Sequence, residues 1–231
     1  MSAAVRRARL VIAYDGSAFF GFAKNNEVVT VAGTLEAALS TICQSPVTVT
    51  GAGRTDTGVH AWGQVISVDL PEHFDLADIQ RRLNKMCGPV VVVRSADWAP
   101  TPEFNARFDA LWRHYRYTVL NTPTPNPFLA RTAWNVRHPL NLHLMQLACD
   151  PFIGEHDFAS FCRKAKPNPG MAPKSTVRRM MLLEWTDLGE GLLRLDVRAN
   201  AFCHQQVRSI TGTLVDVGLG RITAGEIAGI L

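Results

Sequence analysis

The chain has 231 residues, 47% hydrophobic and 19% charged, with a net charge of +4. That is enough chain to bury one large core or two small ones, and no apolar run approaches membrane-spanning length. The charge is unevenly placed: residues 1–109 hold 10 Lys and Arg against 11 Asp and Glu, whereas residues 110–231 hold 14 against 9, a basic half that suits a polyanionic partner.

In chain order, residues 10–14 read as a strand and Asp15-Gly16-Ser17 as a turn. Phe19, Phe20 and Phe22 around Gly21 read as core residues, with stacking of an RNA base on one of them as the alternative. Gly33-Thr34 opens a helix that presents Leu35, Ala38, Leu39 and Ile42 on one face. Strands over 47–50 and 59–70 follow, the second ended by Pro71. Asp75 is a good N-cap for a helix carrying Leu76, Ile79, Leu83 and Met86, stopped by Gly88-Pro89 before a buried strand at 90–93. The order β-α-β-β-α-β predicts a ferredoxin-like unit over residues 1–109.

Residues 100–109 form a crossover with no clear period, and a strand at 112–120 starts a second unit, 110–231. A Pro-rich segment follows, with room for an extra strand near 132–136, then a helix built on Leu142, Met145, Leu147 and Ala148. Strands at 177–185 and 192–197 flank the turn Gly189-Glu190-Gly191, and a helix is predicted over 202–217 with Val207, Ile210, Leu214 and Val217 on its apolar stripe. This half reads β-α-β-β-α with a short helical piece at 224–231 and no closing strand, which predicts an uncovered sheet edge or a partner covering it. The fold class is α+β, two ferredoxin-like halves.

Five scattered cysteines without a C-x-x-C pair predict reduced thiols in a cytoplasmic protein. The apolar run after Arg6-Arg7 breaks at Tyr14-Asp15-Gly16, too soon for a signal peptide. No spacing suits zinc or calcium, and no Walker loop or G-x-G-x-x-G opens a helix, so no metal and no cofactor is expected.

Chemistry concentrates at 51–63, where four glycines surround Asp56 between two strands. The plainer reading is an Asx-turn aspartate closing a β connection. Three other segments are candidates to converge on it. In the strand at 113–117, Arg113, Tyr115 and Tyr117 share one face, with His114 and Arg116 on the other. His204 and Arg208 are predicted one helical turn apart beside the apolar stripe, and an arginine there suits a carboxylate partner. The basic Pro/Gly segment 163–174 is suited to phosphates.

Gly53-Arg54-Thr55-Asp56-Thr57-Gly58-Val59-His60 closely resembles the signature of the tRNA pseudouridine synthase A family. Tyr14-Asp15-Gly16-Ser17, Phe104-Asn105-Ala106-Arg107-Phe108, Tyr115-Arg116-Tyr117, Gly154-Glu155-His156-Asp157-Phe158 and Asn200-Ala201-Phe202 extend the resemblance in order along the chain. It implies isomerisation of uridine to pseudouridine in the anticodon stem-loop of tRNA (positions 38 to 40), with no cofactor or metal. By position, Asp56 matches the essential aspartate, Tyr115 the active-site tyrosine and Arg208 the arginine paired with that aspartate, with Arg54 and His60 as further substrate-binding residues. It also implies a continuous sheet with helices on one side, a central cleft between the halves and a homodimer. Phe22-Ala23 and Gln206 depart from the usual pattern, as does the absent last strand. Two other classes compete: a non-catalytic RNA-binding relative with an incomplete second half, and a nucleosidase-like hydrolase, which wants a second acid.

Overall fold

Residues 4–164 and 175–231 are described by a computed structural model of the chain, and their contacts divide the protein into two units, Met1–Ala110 and Leu111–Leu231. In the first unit, strand β1 (Val5–Tyr14) alternates strictly in its central part, burying Ala8, Leu10, Ile12 and Tyr14 on one side. Helix α1 (Val31–Cys43) starts where the Thr30 hydroxyl accepts a hydrogen bond from the Gly33 N–H, and lays Leu35, Leu39 and Ile42 against that buried face. Strands β2 (Val49–Gly51) and β3 (Ala61–Pro71) follow, then helix α2 (Leu76–Cys87), capped by the expected Asp75 carboxylate on the Ala77 N–H, and strand β4 (Val91–Trp98). The sheet order is β2-β3-β1-β4 with every neighbour antiparallel, the arrangement of a ferredoxin-like unit. Leu10, Leu35, Leu39, Ile66, Leu70 and Ile79 are fully buried at its centre, each contributing roughly 1.5–3 kcal/mol by burial.

The crossover segment that showed no period lies across the other side of this sheet. Its Ala106 N–H donates to the Ser67 hydroxyl, and the Arg7 guanidinium donates to the Phe104 carbonyl while also pairing with Asp69. Backbone polar groups thus replace apolar periodicity as its anchor.

The second unit contains β5 (Arg113–Leu120), β6 (Trp134–Asn135), α3 (Leu142–Leu147), β7 (Gly154–Asp157), β8 (Val177–Asp187), β9 (Leu192–Ala199), α4 (Gln206–Gly218) and α5 (Ile227–Ile230). Its sheet runs β6-β5-β9-β8-β7, with β6 parallel to β5 and the other pairs antiparallel. Phe152, Phe158, Met145, Leu195, Val197, Ile210 and Leu214 form its core. On the β6 side of β5, pairing among the described residues is confined to Val119 and Leu120, because β6 is only two residues long.

Two expectations are corrected here. Helix α4 begins at Gln206, not at 202, because Gln205 takes a left-handed conformation (φ 64°) and the buried Gln206 side chain accepts the Cys203 N–H. His204 therefore lies before the helix and is not one helical turn from Arg208. Nor are all thiols reduced: Cys162 and Cys203 are joined in a disulfide, their Cα atoms 5.7 Å apart. Among the described residues no helix is long and apolar enough to cross a membrane.

Candidate active site

The Asp56 loop joins β2 to β3, and its geometry follows from bonds on both of its arms. On the first arm, Ala52 N–H donates to the Val65 carbonyl and the Gln64 amide donates to the Gly53 carbonyl at 2.6 Å. Thr55 is held twice, its carbonyl by the Phe22 N–H at 3.0 Å and its hydroxyl by the Tyr14 hydroxyl at 2.8 Å. On the second arm, Val59 N–H closes a turn on the Asp56 carbonyl at 3.2 Å, Gly58 N–H reaches the Phe19 carbonyl, and the His60 ring meets Gly16 and Asp15. The segment 14–22 thus underlies the loop, and α1 secures it in turn through Val31 N–H to the Gly21 carbonyl and Ala32 N–H to the Phe22 carbonyl. Asp56 and Arg54 are exposed between these anchors.

A carboxylate so placed projects from a loop whose backbone is fixed on either side, which is how a reacting group is pre-organised. The part played by Tyr14 and the Phe19–Phe22 backbone was not anticipated. The signal in the sequence was Tyr14-Asp15-Gly16-Ser17, which carries part of the family resemblance but whose local pattern shows only a strand end and a turn.

The remaining predicted residues belong to the second unit. Tyr115 lies on the β5 face expected for it, and its ring meets Phe202 edge-on, centroids 5.0 Å apart at 90°. The turn carrying Phe202 is pinned by Asn200, whose side-chain oxygen accepts the Arg179 and Ala201 N–H groups and whose carbonyl accepts the Arg113 guanidinium at 2.6 Å. Arg208 is exposed on the first turn of α4. Gln206, noted as a departure from the usual pattern, is fully buried and organises the start of that helix. Of the basic segment, Arg163 N–H donates to the His204 carbonyl, and 165–174 lie outside the described residues.

On the opposite face of β5, His114 and Arg116 both reach Asp196 of β9, which also pairs with Arg194. Burial alone raises the pKa of this carboxylate, but the hydrogen bonds from Arg116, Arg194 and His114 outweigh it and hold Asp196 below its ordinary range. The thiols outside the disulfide are poor nucleophiles: burial pushes Cys43 and Cys87 up, and Cys149 up to about 12 with help from Asp150 and Glu184.

The sequence pattern described as tRNA pseudouridine synthase matches residues 10–109 and 148–231. Among curated relatives, a tRNA pseudouridine synthase A of Methylacidiphilum infernorum is 38% identical over 98% of this chain and 87% of its own length. Those of Streptomyces griseus and Geobacter sulfurreducens are 42% and 38% identical, each over 97% of this chain, covering 79% and 89% of the relative. On this evidence the chain belongs to the tRNA pseudouridine synthase A family.

Proposed function

We propose that the protein converts uridine to pseudouridine in the anticodon stem-loop of tRNA, at positions 38 to 40, with Asp56 as its catalytic carboxylate. The reading is supported by family membership together with one observation, the fixing of the Asp56 loop on both arms. The reaction breaks N1–C1′, turns the uracil and forms C5–C1′; the C5 proton leaves and N1 gains one, so no oxidant, metal or cofactor is needed. Whether the carboxylate attacks C1′, adds to the ring or takes the C2′ proton, it must be ionised, and Arg208 supplies the cation that favours that state. The Tyr115 ring holds the detached base, and its hydroxyl assists loss of the C5 proton. Flipping a paired uridine out of the stem takes roughly a few kcal/mol, offset by phosphate contacts from Arg54 and the basic second unit. In this reading two copies of the chain form a cytoplasmic homodimer, and tRNA is the partner.

The test uses unmodified tRNA carrying tritium at uridine C5. Wild type should release tritium, and Asp56→Asn should lose release on the order of 10³-fold or more while still binding tRNA. Salt-sensitive binding without release by wild type would make the chain a non-catalytic RNA binder, and free uracil would make it a hydrolase.

A further inference from the structure

The geometry points to His60 as a positioning residue that fixes the second arm of the Asp56 loop through its Nδ1 atom, not as an RNA contact. This rests on the reading of Asp56 as the catalytic carboxylate. Nδ1 lies 3.2 Å from the Gly16 nitrogen and 3.0 Å from Asp15 Oδ1. A backbone N–H only donates, so the bond to Gly16 requires a lone pair on Nδ1, with the ring proton on Nε2. A proton on Nδ1 would release Gly16 and engage Asp15 instead. Either way the ring is tied to the Asp15–Gly16 turn.

That turn is fixed by its own bonds. Asp15 N–H donates to the Val90 carbonyl at 2.9 Å, and Asp15 Oδ1 accepts the Ser17 N–H at 2.9 Å. The turn and the loop also pack too closely for slack: a Cβ on Gly16 would sit 2.0 Å from the Val59 carbonyl oxygen. His60 therefore ties the last residue of the loop, four positions after Asp56, to an immobile neighbour. The first arm is secured separately through Thr55. Without His60 the second arm keeps the long Gly58 N–H bond to the Phe19 carbonyl, 3.4 Å, as a tie to this segment, and a carboxylate displaced by about 1 Å loses on the order of 10²-fold in rate.

Two substitutions separate the nitrogens. An asparagine side-chain oxygen stands near the place of Nδ1, whereas a glutamine reaches toward Nε2. His60→Ala should lower kcat for tritium release about 30- to 100-fold with KM for tRNA within twofold of wild type. His60→Asn should recover most of that loss, and His60→Gln should not. In an Asp56→Asn background, where turnover is absent, adding His60→Ala should leave the tRNA Kd within twofold. The proposal is overturned by wild-type kcat in His60→Ala, by equal losses in all three variants, or by a Kd weakened fivefold or more, which would make His60 an RNA contact. A wild type that releases no tritium overturns the proposed function instead, so the two failures are distinct.

Discussion

The two units share the order of three antiparallel strands, β2-β3-β1 in one and β8-β9-β5 in the other, but use their polar groups differently. In the first, backbone N–H and C=O groups of 14–22 grip the Asp56 loop, and side chains contribute at Tyr14, Thr55 and His60. In the second, side-chain charges tie strand to strand through Asp196, and a covalent link ties the stretch before α4 to Cys162. The backbone bonds of the brace set position and are little affected by salt; a charge cluster and a disulfide stabilise, and solution conditions tune both.

The sharpest break in that comparison is reduction. The Cys162–Cys203 link closes a separation of 41 residues, which on chain-entropy grounds corresponds to about 4 kcal/mol. Reductant should shift the urea midpoint of wild type and leave Cys203→Ser unmoved. Hydrogen exchange should place the loosening in β8 and α4 and leave the amides of β1 and β3 protected. Equal midpoints with and without reductant would remove the covalent half of the comparison.

The mirror experiment strains the first unit. Gly16→Ala forces a methyl group onto the Val59 carbonyl, backbone against backbone, where no side-chain rotation can relieve it. The expected outcome is about 2–3 kcal/mol of destabilisation and a rate of tritium release lowered on the order of 10²-fold. Chemical melts and initial rates read the two effects separately. Wild-type activity in this variant would mean that the loop does not depend on its brace.

These contrasts show which parts of the molecule were legible in its sequence. The apolar run at 10–14, the Asp75 cap and the Gly189–Gly191 turn are local signals, and each led to the correct element. Strand β7 was missed because Gly154-Glu155-His156-Asp157 has no apolar alternation; it is a strand by pairing with β8. The start of α4 was misplaced because an apolar stripe does not register a left-handed residue or a side-chain cap at Gln205 and Gln206. The Asp56 loop could be read from its glycines, but its support could not. Phe19 and Phe22 act through backbone atoms that every residue carries, and Tyr14 finds Thr55 across 41 positions.

The smallest effect expected is at Asp196, and it tests the charge cluster against the brace by titration. The carboxylate is 4% exposed and accepts bonds from His114, Arg116 and Arg194. Asp196→Asn should therefore destabilise the second unit by about 2 kcal/mol at neutral pH. Because the native pKa is depressed below the ordinary value of 3.8, wild type holds this stabilisation in full above that value and loses it as pH falls through the lower native pKa. The gap between wild type and Asp196→Asn should thus be constant from neutral pH to about pH 5 and close below 3.8. Thermal melts of both proteins across that range measure it. A gap that does not narrow at all as pH falls below 3.8 would mean that packing of the side chain, not its charge, holds β5 to β9.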